Sequence, residues 1–178
     1  YNLQVYDVPY LRMKQHPDLC QEHECQILLA LLQERMHKDN YCKKLENLMT
    51  ESKSLDESCL IIAVLFTALY NDGKNEQCYN ILHEKTYEYY YENYKNSRYF
   101  PFLLRNVSYY IDNAKKGIDN YSYCLAKFKN HDCVNYNRTL SNFIGYLMKH
   151  DNDQYAKIVL KEKIKEAISI LEFNDAKY

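Results

Sequence analysis

SLDESCLIIAVLFTALYNDG, residues Ser54–Gly73, carries its own start signal, its own stop signal and an apolar run between them. Ser54 and Glu57 have the S-x-x-E spacing of a capping box, in which a hydroxyl and a carboxylate satisfy amides that a first helical turn leaves unpaired. Asn71-Asp72-Gly73 supplies the stop, because glycine takes the left-handed conformation that ends a helix. The run between, Cys59–Tyr70, is too short to cross a bilayer, which takes about 20 apolar residues. It predicts a central helix buried against others.

Working outward, the whole chain suits helices. It has 178 residues, of which only 3 are Gly and 3 Pro. A sandwich or barrel needs a turn every 8–12 residues or so, and this chain lacks the punctuation. Pro17 occupies a favoured first helical position, and Leu28, Leu31, Leu32 and Met36 continue from it at helical spacing. Cys42, Leu45, Leu48 and Met49 line one face of a second helix. After the Ser54 helix, a fourth is expected over 75–93 and a fifth from Pro101, stopped by Gly117. A sixth is expected over 119–129, a seventh over 132–150 and a last over 153–173. The last carries Tyr155, Ile158, Val159, Ile164, Ile168 and Leu171, and its KEKIKE stretch reads as a solvated, mixed-charge face. The fold class is therefore all-α, a compact bundle of about eight helices. It reads as two helical halves, 1–96 and 97–178, that can pack as one domain, with the divide near Lys95–Pro101. DNYC at Asp39–Cys42 and DNYSYC at Asp119–Cys124 form a loose repeat between the halves.

Net charge is −1, and cations and anions are interleaved. Nucleic acid and anionic membrane surfaces both require clustered cations, so neither is expected as the main partner. No membrane insertion is expected either. The first residue is Tyr1 and no leader precedes it, which reads as a mature chain whose signal peptide has been removed.

The seven cysteines include no C-x-x-C pair. HPDLCQEHEC (His16–Cys25) gathers two of them with two histidines, but at 100° per residue Cys25 points about 140° away from Cys20. One helix cannot aim both thiols and His23 at a single metal, and His37, His83, His131 and His150 form no H-x₃₋₅-H pair. No metal or cofactor is expected. Cys25, Cys42, Cys59 and Cys78 are 17, 17 and 19 residues apart, one helix and turn per step. With antiparallel neighbours, Cys59 should lie level with Cys25 or Cys20, and Cys42 with Cys78. Cys124 and Cys133 flank a short turn. Three disulfides and one leftover thiol, Cys20, are the expectation.

There are 20 Tyr and no Trp. In the densest patch Tyr87, Tyr90, Tyr91 and Tyr94 share a helical face expected to fill the core, with hydroxyls at the rim. The alternative reading makes Tyr87, Tyr89, Tyr90, Tyr91 and Tyr94 an interaction surface, since tyrosine is enriched at hot spots, with Tyr89, off the main stripe, as its expected exposed anchor. No nucleophile elbow, phosphate loop or zinc-protease motif occurs, and a non-enzyme is expected. Three glycosylation sequons begin at Asn106, Asn120 and Asn137. With the cysteines they favour secretion.

Cys25, Tyr41 and Cys42 in the first half, and Cys78, Tyr123 and Cys124 in the second, resemble the paired cysteine–tyrosine–cysteine motifs of the bicycle effector proteins of gall-forming aphids. The resemblance implies a salivary protein delivered into host tissue, with no known enzymatic activity. The leading expectation is a secreted effector that binds a host protein. A helical surface antigen or immune-evasion protein of a parasite or virus fits the same composition. A carrier of a small hydrophobic ligand is a further alternative, and it requires an apolar cavity of ~300 Å³ or more. An intracellular adaptor would instead keep every thiol reduced.

Overall fold

The computed structural model describes Gln15, Asp18, 23–35, 41–71, Gly73, Glu76, Asn80 and 87–175. Side chains are described for all of these except 23–24, 31, 33–35, 41–42, 71 and 173–175. The described residues form eight helices and no strand, so the protein is all-α. They are α1 (His23–Arg35), α2 (Tyr41–Glu51), α3 (Leu55–Asn71), α4 (Tyr87–Tyr94), α5 (Phe100–Ser108), α6 (Ala114–Phe128), α7 (Cys133–Lys149) and α8 (Gln154–Asp175). The start expected at Pro17 lies outside the described residues. The chain divides into two compact units, Tyr1–Leu103 and Leu104–Tyr178, with the division inside α5.

The first unit is organised by α3. Ser54 Oγ accepts from the Glu57 amide at 3.1 Å, and the Glu57 carboxylate accepts from the Lys53 amide at 2.8 Å. The box therefore closes one residue earlier than the standard form. Gly73 ends the segment at φ 71°, its amide donating to Tyr70 O at 3.1 Å. Between these caps Cys59, Ile61, Ile62, Ala63, Val64, Phe66, Ala68 and Leu69 are all buried. A helix with apolar residues on most of its circumference must be covered on several sides. Ile27 and Ala30 of α1 and Leu45 and Leu48 of α2 share a core with Ile61, Val64 and Ala68. Tyr90 of α4 meets Phe66 edge-on, with ring centroids 6.0 Å apart. Asp56, in the first turn of α3, ties down the loop after α4: it accepts from Ser97 Oγ at 2.6 Å and from the Arg98 amide at 3.0 Å.

The second unit is built from α6, α7 and α8. Asn113, Asp132 and Asp153 precede them, and their side chains accept from the amides of Lys116, Asn135 and Ala156 at 2.9–3.0 Å. A short polar residue there satisfies an amide that has no partner within the helix. Ile118, Tyr121 and Leu125 of α6, Leu140, Phe143, Tyr146 and Leu147 of α7, and Ala156 and Val159 of α8 make the core. Tyr121 stacks on Phe143 at 5.0 Å and contacts Tyr146 at 5.4 Å.

The expectation for α5 and α6 needs correction. Helix α5 stops at Ser108, not at Gly117, and α6 begins at Ala114 with Gly117 in its first turn. Two tight turns, Tyr110 N to Val107 O and Ile111 N to Ser108 O, end α5. Gly117 is there for space: a Cβ on it would overlap the Tyr146 ring. The Tyr146 hydroxyl in turn donates toward Ile111 O at 3.0 Å and Asn113 O at 3.1 Å. A glycine that reads as a stop is a point of close helix approach.

Candidate interaction surface

The expected cysteine pairs do not form among the described residues. Cys59 and Cys124 are buried thiols, Cys25 is half-buried, and Cys133 is exposed. Cys124 lies on the core face of α6 beside Arg105, whereas Cys133 opens α7 and faces water. Two cysteines flanking a turn bond only if both side chains point into it, and these point apart. The Cys59–Cys25 pair is likewise unmade. Cys20, Cys78 and the side chains of Tyr41 and Cys42 lie outside the described residues, so the Cys42–Cys78 pairing and most of the Cys–Tyr–Cys pattern do too. Tyr123 is exposed, with Lys127 Nζ 5.4 Å from its ring centre, and does not converge with Cys124.

Burial pushes the Cys59 thiol up to about 11, against hydrogen bonding with Ser97, which lowers it. Burial pushes Cys124 up to about 12, against the nearby Arg105 cation. A nucleophilic cysteine needs the opposite shift. Arg105 is itself buried. Its Nη1 donates to Asn135 at 3.0 Å, and desolvation, then the neighbouring Arg138, lowers it to about 10. No group of three or more His, Cys, Asp or Glu among the described residues is placed to hold a metal. No described helix is long and apolar enough to cross a membrane.

The tyrosine face divides. Tyr90 and Tyr94 are buried and stacked at 6.4 Å. Tyr87 is half-buried, and Tyr91 is exposed but rests against Phe100, 5.5 Å away. Tyr89 is exposed on the edge of Tyr90. The expected four-tyrosine core stripe is thus a two-residue one, because only the i, i+4 pair Tyr90 and Tyr94 is buried, Tyr90 against Phe66. The sequons divide as well. Asn120 is buried in α6, Asn106 is half-buried and accepts from Arg105 Nε at 3.5 Å, and Asn137 is exposed on α7. A glycan at Asn120 is incompatible with this packing.

Helix α8 exposes most of its large apolar residues. Of the six apolar residues named on it from the sequence, only Val159 is buried; Tyr155, Ile158, Ile164, Ile168 and Leu171 are exposed. The helix packs instead through Ala156, Val159, Leu160, Ala167 and Ile170. Lys163 and Glu166, read as solvated, are half-buried and bonded at 2.8 Å. Glu166 also accepts from the Tyr136 hydroxyl of α7. Partial burial opposes charge on Glu166, but the Lys163 and Tyr136 hydrogen bonds outweigh it and hold the carboxyl below its usual range. Burial, then Glu166, pushes Tyr136 up to about 12.

That cross-tie leaves a cleft of about 360 Å³ beside it. Asn137, Leu140, Ser141 and Ile144 of α7 form one wall, and Ala167, Ile170 and Leu171 of α8 the other. Leu171 is also the end of an exposed row, Ile164, Ile168 and Leu171, whose relative exposures are 41%, 48% and 63%. The i, i+4, i+7 spacing puts them on one face. Cleft and row together form a continuous apolar surface on the second unit. One signal for it is in the sequence: α8 has more large apolar residues than one helical face can hold. No family model, curated protein or solved structure matches the chain.

Proposed function

We propose that this chain is a non-enzymatic binding protein, a secreted effector that engages a host protein through the α7–α8 face of its second unit. The observation that carries the reading is the exposed row Ile164, Ile168 and Leu171 beside an apolar cleft. Helical proteins commonly bind by laying an amphipathic segment into such a surface, anchored by a few side chains in a pocket. The raised thiols of Cys59 and Cys124 support a role without covalent chemistry. The exposed sequon at Asn137 supports passage through a secretory route.

The test is site-specific photocrosslinking from benzoylphenylalanine placed at Ile168 and, separately, at Tyr89. The reading expects one saturable adduct from position 168, lost in Ile164→Ser and competed by excess unlabelled protein. An adduct from position 89 alone would move the working surface to the tyrosine helix.

The cleft volume favours one second reading, a carrier of a small hydrophobic ligand. Ligand sites start at ~300 Å³, and this cleft has that size. It is open along Leu171, however, whereas carriers bury most of their ligand. Calorimetric titration with a saturated fatty acid separates the two: a stoichiometric apolar ligand supports the carrier.

A further inference from the structure

Resting on that docking surface, we infer that the element bound on α8 is an acidic amphipathic helix of the partner protein. Lys157, Lys161 and Lys165 are exposed at i, i+4 and i+8 on α8. None of them makes an ion pair with a described residue. At 100° per residue they occupy the sector adjoining the Ile164–Ile168–Leu171 row. Among the described side chains the one acid in that sector is Glu172, at its C-terminal end, and Glu162 lies about 60° further round, past Lys165. Lys163 is on the opposite side and is committed to Glu166. The three lysines span about 12 Å of helix and flank the N-terminal part of the apolar row, Lys161 and Lys165 each three residues before Ile164 and Ile168, with Glu172 at the row's far end.

The complement of such a surface is a helix with its own apolar stripe and glutamates or aspartates beside it. Its largest apolar side chain would enter the cleft between Leu140, Ile144, Ala167 and Ile170. An anionic bilayer fits less well, because stable lipid recognition uses clusters of about 4–8 cations, and here there are three.

Two synthetic helical peptides of about 20 residues, long enough to span the row, test this by fluorescence anisotropy with the full chain. Both carry leucines at i, i+4 and i+7 and one phenylalanine; one has glutamates beside the stripe and the other lysines. The glutamate peptide binds about tenfold more tightly in low salt, and the gap closes as salt is raised toward about 0.5 M. Lys161→Glu with Lys165→Glu reverses the preference. Equal affinities, both abolished by Ile168→Ser, would overturn the acidic assignment and leave the α8 face as the docking surface. Binding unchanged by Ile168→Ser would overturn both readings. No binding of either peptide, or tighter binding to phosphatidylserine-containing vesicles than to the glutamate peptide, would also overturn the inference.

Discussion

Two glycines on neighbouring helices should respond to the same substitution with opposite signs. In a helix interior Gly→Ala stabilises by about 0.5–1 kcal/mol, because alanine has less backbone freedom to lose. Gly145 is in α7, and an added methyl there meets nothing within 4 Å. Gly145→Ala should therefore gain about 0.5–1 kcal/mol. Gly117 is helical too, but its added methyl overlaps the ring of Tyr146. That ring has no easy escape: it is fully buried, its hydroxyl reaches Ile111 O and Asn113 O, and His150 packs on it at 4.5 Å. Overpacking costs about 1–3 kcal/mol, and displacing the hydroxyl costs a further ~1 kcal/mol. Set against the helical gain, Gly117→Ala should lose about 1–3 kcal/mol. At about 4–8 °C per kcal/mol for a unit of this size, the two variants should melt on opposite sides of the wild type. The assay is thermal and urea denaturation followed by far-UV circular dichroism. A Gly117→Ala variant as stable as Gly145→Ala would refute the close approach of α6 and α7 and the placement of Tyr146 with it.

Other consequences are open to direct measurement. Asp56→Ala removes the acceptor of Ser97 Oγ and of the Arg98 amide and should destabilise the first unit by about 1–3 kcal/mol, read from the urea midpoint. Cys59 and Cys124 titrate near 9 when unfolded but are held up to about 11 and about 12 in the fold. The fold prefers the protonated thiols, so this stability is full below pH 9 and is lost as pH rises toward 11–12. Arg105, lowered to about 10, acts in the opposite direction above that pH. A urea midpoint that stays flat from pH 8 to pH 11 would contradict the two buried thiols. Iodoacetamide on the native protein should label Cys133 first and leave Cys59 and Cys124 unmodified until unfolding, as peptide mapping can read. Ile168→Ser, at an exposed position, should change stability by less than about 0.5 kcal/mol while removing peptide binding.

What the sequence reveals is local. Ser54 and Glu57 as a start, Gly73 as a stop, and Asp132 and Asp153 just before α7 and α8 are all readable, because each acts on amides within four residues of itself. What it hides depends on distant residues. Gly117 reads as a helix stop until Tyr146, on another helix, is brought against it. The Tyr87–Tyr94 face reads as one stripe because spacing alone does not tell which two rings are buried, Tyr90 against Phe66 and Tyr94 against Tyr90. The thiol pairing fails for a similar reason: sequence distance along a bundle does not say which way a side chain points across the turn at Cys124 and Cys133. In α8 the apolar residues are visible as a set, but Ala156, Ala167 and Ile170 take the core side and leave Ile164, Ile168 and Leu171 to water.

The most direct test of the docking surface is a titration of ¹⁵N-labelled protein with the glutamate-flanked peptide, followed by amide chemical shifts. The account predicts perturbations centred on Leu140–Ile144 of α7 and Ile164–Leu171 of α8, with the amides of Tyr87–Tyr94 unmoved. Perturbations centred on α4, or none at saturating peptide, would contradict it.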